Sequence, residues 1–340
     1  MAHTPKLEVF TITLKTSRND LSLFSFKAFL NDLLIKREVI TEEEDDENIL
    51  FLEFFRFFVS QFSSGEYIKN EKDKKAMTAF RADVDHDDCD ITPHAEHCII
   101  EGKLYGGKYG LLRTRSKVND KTQQDRVRED DVIADQFYFF LHMPMDSHKG
   151  ILMVQSYTSE SITALLKTTI KGLFSNVPNY LLPEIQAFCP KLFQDQFKNG
   201  GFIKKYAFSG EVLTEDLDFP VEHTNDVLKV SITIESERGI EYREHPTLIR
   251  KIISNKIGEK FLGSFSKKKA FIKNNSTNRV SPFDINDEDF KIKPVIMLED
   301  HGITVDEFGF PDYTELKGFC FSLLNIVHEE LSLLNQISED

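Results

Sequence analysis

Five phenylalanines, Phe51, Phe54, Phe55, Phe58 and Phe62, fall at i, i+3, i+4, i+7 and i+11. At 3.6 residues per turn they share one side of a helix, in a stripe too wide and too apolar to face water. The spacing predicts a helix over residues 48–63 with its aromatic side in a core. The stripe belongs to a wider habit, since the chain carries 30 Phe and no Trp. Phe then does the interior filling that Leu and Trp share elsewhere, a Phe-rich partner face being the alternative use. The acidic run 42–47, EEEDDE, reads as a solvated loop, and its end places negative charge at the favourable end of the helix dipole.

Other segments show the same two periods. Residues 8–14 alternate as a strand, and Leu21, Phe24, Ala28, Phe29 and Leu33 mark a helix over 20–36. Residues 64–97 and 117–131 are polar and expected to be loop-rich. The run 98–116 is expected to be a hairpin turning at Gly106-Gly107. Residues 136–143 and 150–157 form a second expected hairpin that leads into a helix whose inner side is Ile162, Leu165, Leu166 and Ile170. Three prolines and Gly200-Gly201 mark a boundary near 175–200. Strands follow at 202–213 and 226–236, then a helix from Pro246 to about 262 and a strand near 291–298. A last helix is opened by Asp312 and Glu315, with Leu316, Phe319, Leu323 and Val327 on its apolar side. The fold expected is α+β, mainly antiparallel sheet packed against helices, in two subdomains over 1–185 and 200–340.

With 40% apolar and 29% charged residues the chain can close its own core. The net charge of −14 repels phosphate backbones and disfavours broad, sequence-independent nucleic-acid binding, though a local basic patch can override it. Four widely spread cysteines are no disulfide framework and fit a reducing cytoplasm. No secretory leader or membrane-spanning stretch is read, so the expected location is cytoplasmic with no membrane insertion of its own.

Three constellations can carry chemistry. Residues 83–98 hold His86, Cys89, His94, His97 and Cys98 among aspartates, imidazole and thiolate being the ligand types zinc prefers. His86, Cys89, His94 and His97 are the candidate ligands, a divalent metal is the candidate cofactor, and a merely soluble polar loop is the alternative. Beyond it, Glu101-Gly102-Lys103 follows an apolar run, with Asp88 or Asp90 upstream. Asp90, Glu101 and Lys103 so spaced are similar to the metal-dependent, restriction-endonuclease-like nucleases. That resemblance implies carboxylates holding a divalent metal and a lysine polarising the attacking water; the alternative is a strand with a charged outer face. Third, Lys267, Lys268, Lys269, Lys273 and Arg279 surround Phe271, a pattern suited to single-stranded nucleic acid. A solvated loop is the favoured reading of that stretch, with a phosphate-facing patch as the alternative. The glycines of GGKYG, 106–110, lack phosphate-loop spacing and are assigned to turn chemistry. His142 and His148 are read as structural.

The run 137–170, strand, turn, strand and capped helix, stands after a GGKYG hairpin and, far upstream, an N-terminal strand and helix. This order resembles the layout of several uncharacterised bacterial families found in phage-defence and abortive-infection loci, over about the first half of the chain. The resemblance implies a cytoplasmic bacterial anti-phage component that assembles with itself or with a partner protein, and it transfers no functional residue. The readings carried forward are this defence component with nucleic-acid sensing, the nuclease, and a nucleic-acid-binding regulator.

Overall fold

The computed structural model describes residues 4–17, 24–62, 66–80, 89–110, 112–117, 120–190, 193, 201–213, 227–241, 251, 265, 267–274, 280–285 and 296–337. The protein is α+β, and every strand pair described is antiparallel. Contacts divide it into two units: Met1–Phe188 with Ile296–Glu329, and Cys189–Val295 with Glu330–Asp340.

In the first unit the strands are β1 (Pro5–Thr13), β2 (Ile68–Asn70), β3 (Lys75–Thr78), β4 (Ile91–His94), β5 (Ile99–Lys108), β6 (Arg113–Lys117), β7 (Asp120–Val127), β8 (Ile133–His142), β9 (Lys149–Tyr157) and β10 (Glu184–Phe188), with β15 (Ile296–Met297) returning beside β1. The main sheet runs β10-β1-β9-β8-β5-β3-β2, with β4 on β5, while β6 and β7 form a separate ribbon. Helices α1 (Phe26–Lys36), α2 (Glu47–Ser60) and α3 (Thr163–Leu173) supply apolar side chains to one core with alternate residues of the sheet. The aromatic stripe lands there as its period requires: Phe51, Phe54, Phe58 and Phe62 are buried, and the Phe58 ring stands 5.9 Å from Phe139 of β8. Asp46, the end of the acidic run, caps α2 by accepting the amides of Asn48 and Ile49. The sheet's other side is covered by α4 (Tyr313–Ile337), whose residues as far as Glu329 belong to this unit. Tyr138, Phe140 and His142 of β8 meet Tyr313, Phe321 and His328 of α4 in that order, so helix and strand run side by side in the same direction.

Several expectations need correction, among them the polar stretch 117–131, which holds β7 instead of being mostly loop. Residues 98–116 are not a hairpin turning at Gly106-Gly107; both glycines lie inside β5, paired to Met77 and Ala76 on one side and to Asp135 and Ala134 on the other. A Cβ on Gly106 would stand 2.2 Å from Ala76 O, and one on Gly107 2.0 Å from Ile133 O. The glycines are there because neighbouring backbones pass too close for a side chain. The polar stretch 64–97 also contributes three short strands, β2 to β4, since edge pairing needs backbone groups more than apolar side chains.

The second unit, described by itself, is a four-stranded sheet of order β12-β11-β13-β14. Its strands are β11 (Gly201–Leu213), β12 (Val227–Glu241), β13 (Lys267–Asn274) and β14 (Val280–Asp284). Ile203, Tyr206, Phe208, Phe265, Ala270 and Ile272 are buried in it. The basic stretch read as a loop is therefore partly strand. The helix expected over 246–262 lies outside the described residues except for Lys251.

Candidate functional site

Opposed residues of an antiparallel pair project to the same side. Glu101 and Lys103 of β5 therefore share a side with their partners Phe140 and Tyr138. Asp90 joins them just before β4: its carbonyl accepts the Lys103 amide at 2.8 Å, and its carboxylate accepts the Tyr105 hydroxyl. The three residues of the candidate catalytic set are neighbours on one side of the sheet.

That side lies under α4. Lys317 donates to Glu101 Oε1 at 2.7 Å, His94 Nε2 lies 3.3 Å from the same oxygen, and His94 and Lys317 are 3.4 Å apart. The Glu101 side chain is 3% exposed. Its second oxygen and the hydroxyls of Tyr138 and Tyr313 are buried with no hydrogen bond of good geometry. Each such group carries a desolvation cost of about 1–3 kcal/mol. Burial pushes the Tyr138 and Tyr313 phenols far up, with Glu101 adding to the shift, so both stay protonated donors. The Cys320 thiol below them is pushed up in the same way, chiefly by burial. Lys103 Nζ stands 4.3 Å from the centre of the Tyr313 ring, a cation–π contact.

The candidate metal ligands are dispersed among the described residues. His86 lies outside them. Cys89 is half-buried, and its thiol faces the Ile91 carbonyl. His94 faces Glu101 and Phe321, whereas His97 sits on the wall of another groove with His142 and His328. No three His, Cys, Asp or Glu side chains converge on a metal-sized site among the described residues.

The basic constellation divides by strand parity. Lys268 is buried on the same side of the sheet as Ala270 and Ile272. Lys269, Phe271 and Lys273 lie on the opposite side, half-buried. There Phe271 is paired to Lys205 of β11, whose ammonium is 5.6 Å from the Phe271 ring and 3.1 Å from Glu235. Lys269 and Lys273 make no ion pair among the described residues. Arg279 lies outside the described residues, as does the side chain of Lys267.

Sequence reading missed Lys317, Tyr138, Tyr313 and the pair His142–His328, whose ring nitrogens are 3.2 Å apart. Their only signal was position: Tyr313 and Lys317 stand one turn apart at the start of a helix, and Tyr138 and His142 alternate on a strand. In class, the protein is a two-unit α+β chain whose first sheet is shut by its last helix. No protein-family model matches the chain, and no curated protein matches it. Among the described residues no helix is long and apolar enough to cross a membrane.

Proposed function

We propose that the chain is a binding component that senses single-stranded nucleic acid through the second unit's basic strand and acts through assembly, within cytoplasmic bacterial anti-phage defence. One observation carries the sensing: β13 sets Lys269, Phe271 and Lys273 on one side of a four-stranded sheet, beside Lys205. Two ammonium groups flanking an aromatic ring suit a phosphate–base–phosphate spacing, with the base stacked on Phe271. The element order of the first half supports the defence setting, and the assembly partner is a second copy or another protein. Fluorescence anisotropy with short labelled DNA and RNA strands between 50 and 200 mM salt tests the sensing. Binding should weaken with salt, and Lys269→Gln with Lys273→Gln should lower the salt slope by about 1 per lysine. Binding unchanged in that variant overturns the reading. Plating phage on bacteria that express the chain, with and without the same substitutions, tests the defence setting.

The second reading is the metal-dependent nuclease. It is favoured by the adjacency of Asp90, Glu101 and Lys103, and opposed by the burial of Glu101 against Lys317. Cleavage with magnesium or manganese that vanishes in Glu101→Gln would establish it, and cleavage that survives Glu101→Ala would remove it.

A further inference from the structure

The first unit holds a cavity of about 400 Å³ between β8, β9, the loop from Thr304 to Asp312 and the start of α4. That volume lies within the range of about 300–1,000 Å³ usual for small-ligand sites. Aromatic walls come from Tyr138, Tyr157, Phe310 and Tyr313. Lys103 lines it with an ammonium that makes no ion pair among the described residues. Tyr138, 2% exposed, and Tyr313 line it as well; the Tyr313 hydroxyl is buried without a hydrogen bond, and the buried Tyr138 hydroxyl has Glu101 beside it. The two carboxylates at the rim, Asp306 and Asp312, hydrogen-bond to backbone amides rather than to Lys103. Asp306 accepts the amides of Phe308 and Phe310, and Asp312 accepts that of Glu315 at the head of α4.

Lys103 and the phenols of Tyr138 and Tyr313, set among rings, suit a flat, acceptor-rich guest with one anionic group. We propose that this cavity binds a small aromatic anion, a single ring system carrying one carboxylate or phosphate, with the anionic group on Lys103 and the ring against Tyr157 and Phe310. Lys103 and Tyr138 stand on strands and Tyr313 on a helix, so the donors are held in place before the ligand arrives. The inference is independent of nucleic-acid sensing by the second unit.

Isothermal titration of the full chain with benzoate, adenosine 5′-monophosphate and an adenosine 5′-phosphorylated oligonucleotide tests it, with benzamide and adenosine as uncharged counterparts. At least one anion should bind, at least tenfold tighter than its uncharged counterpart. Lys103→Met should cost about tenfold or more, and Tyr138→Phe and Tyr313→Phe about threefold to tenfold each. The Tyr→Phe variants remove one oxygen from folded walls, and a melting curve for each confirms the fold. Preference for the oligonucleotide over the free nucleotide would place the anion on a nucleic-acid end, and the reverse would make it a metabolite. No binding of any anion at millimolar concentration, or binding unchanged in Lys103→Met and Tyr313→Phe, overturns the proposal.

Discussion

Glu101 exchanges water for Lys317 and His94, and burying a carboxylate is costly unless such partners stay in place. Removing one partner is therefore worse than removing both. Lys317→Met should destabilise the first unit by about 2–3 kcal/mol, below the full cost of orphaning a buried charge because the Lys317 side chain is 35% exposed. Adding Glu101→Gln to Lys317→Met should recover part of the loss, read from urea midpoints. Gly106→Ala is a second case at this scale. Its methyl would meet the Ala76 carbonyl at 2.2 Å, and backbone cannot swing aside as a side chain can. Loss of more than about 3 kcal/mol, or a chain that no longer melts cooperatively, is expected. Both residues were visible in the sequence, yet their roles were not. Glu101 was read as a metal ligand because nothing in a single sequence says that Lys317 arrives from the far end of the chain. Gly106-Gly107 was read as a turn because a Gly pair looks the same whether φ is positive or a neighbouring strand is close.

At the scale of elements, α4 is fastened to β8 by a series of contacts that ends in His142 and His328. Burial first, then His328 and His97, push the His142 pKa down to about 3 from 6.5; burial also lowers His328, against a small opposing pull from Asp146. Below pH 6.5 the unfolded chain gains protons that the folded chain refuses, so stability falls as pH drops from about 6.5 towards 3. The slope at His142 is up to about 1.4 kcal/mol per pH unit, and the half-exposed His328 adds less. Melting temperatures at pH 7, 6 and 5 should fall steadily, and a His142→Phe, His328→Leu double variant should flatten that fall. A double variant with an unchanged slope would show that other groups set it. Most elements were legible from a local signal: the helical period of the α2 stripe, the short continuous apolar runs of β8 and β9, the Asp312 cap of α4. The basic strand β13 was not, because lysine at both parities hides the alternation of Ala270 and Ile272 with the residues between them.

For the whole molecule, a boundary was expected near 175–200 with subdomains over 1–185 and 200–340; by contacts the first unit runs to Phe188, and the chain then comes back. Residues Ile296–Glu329 belong with Met1–Phe188. A fragment ending at 188 would leave Tyr138, Phe140 and His142 without the helix that covers them. It should aggregate or melt without cooperativity, whereas the same fragment joined by a short linker to 296–329 should melt as one transition in circular dichroism. Equal behaviour of the two would show that α4 is dispensable. No sequence pattern announces such a return, since the amphipathic side of α4 shows that it covers something without naming which sheet.

A lid made from the last helix also sets a schedule. On a ribosome adding about 5–20 residues per second, the half-built sheet must wait roughly five to twenty seconds, its greasy underside bare, while the intervening unit is threaded out. Holding chaperones have their longest opportunity in that interval, and a slower codon stretch between the two halves would lengthen the wait.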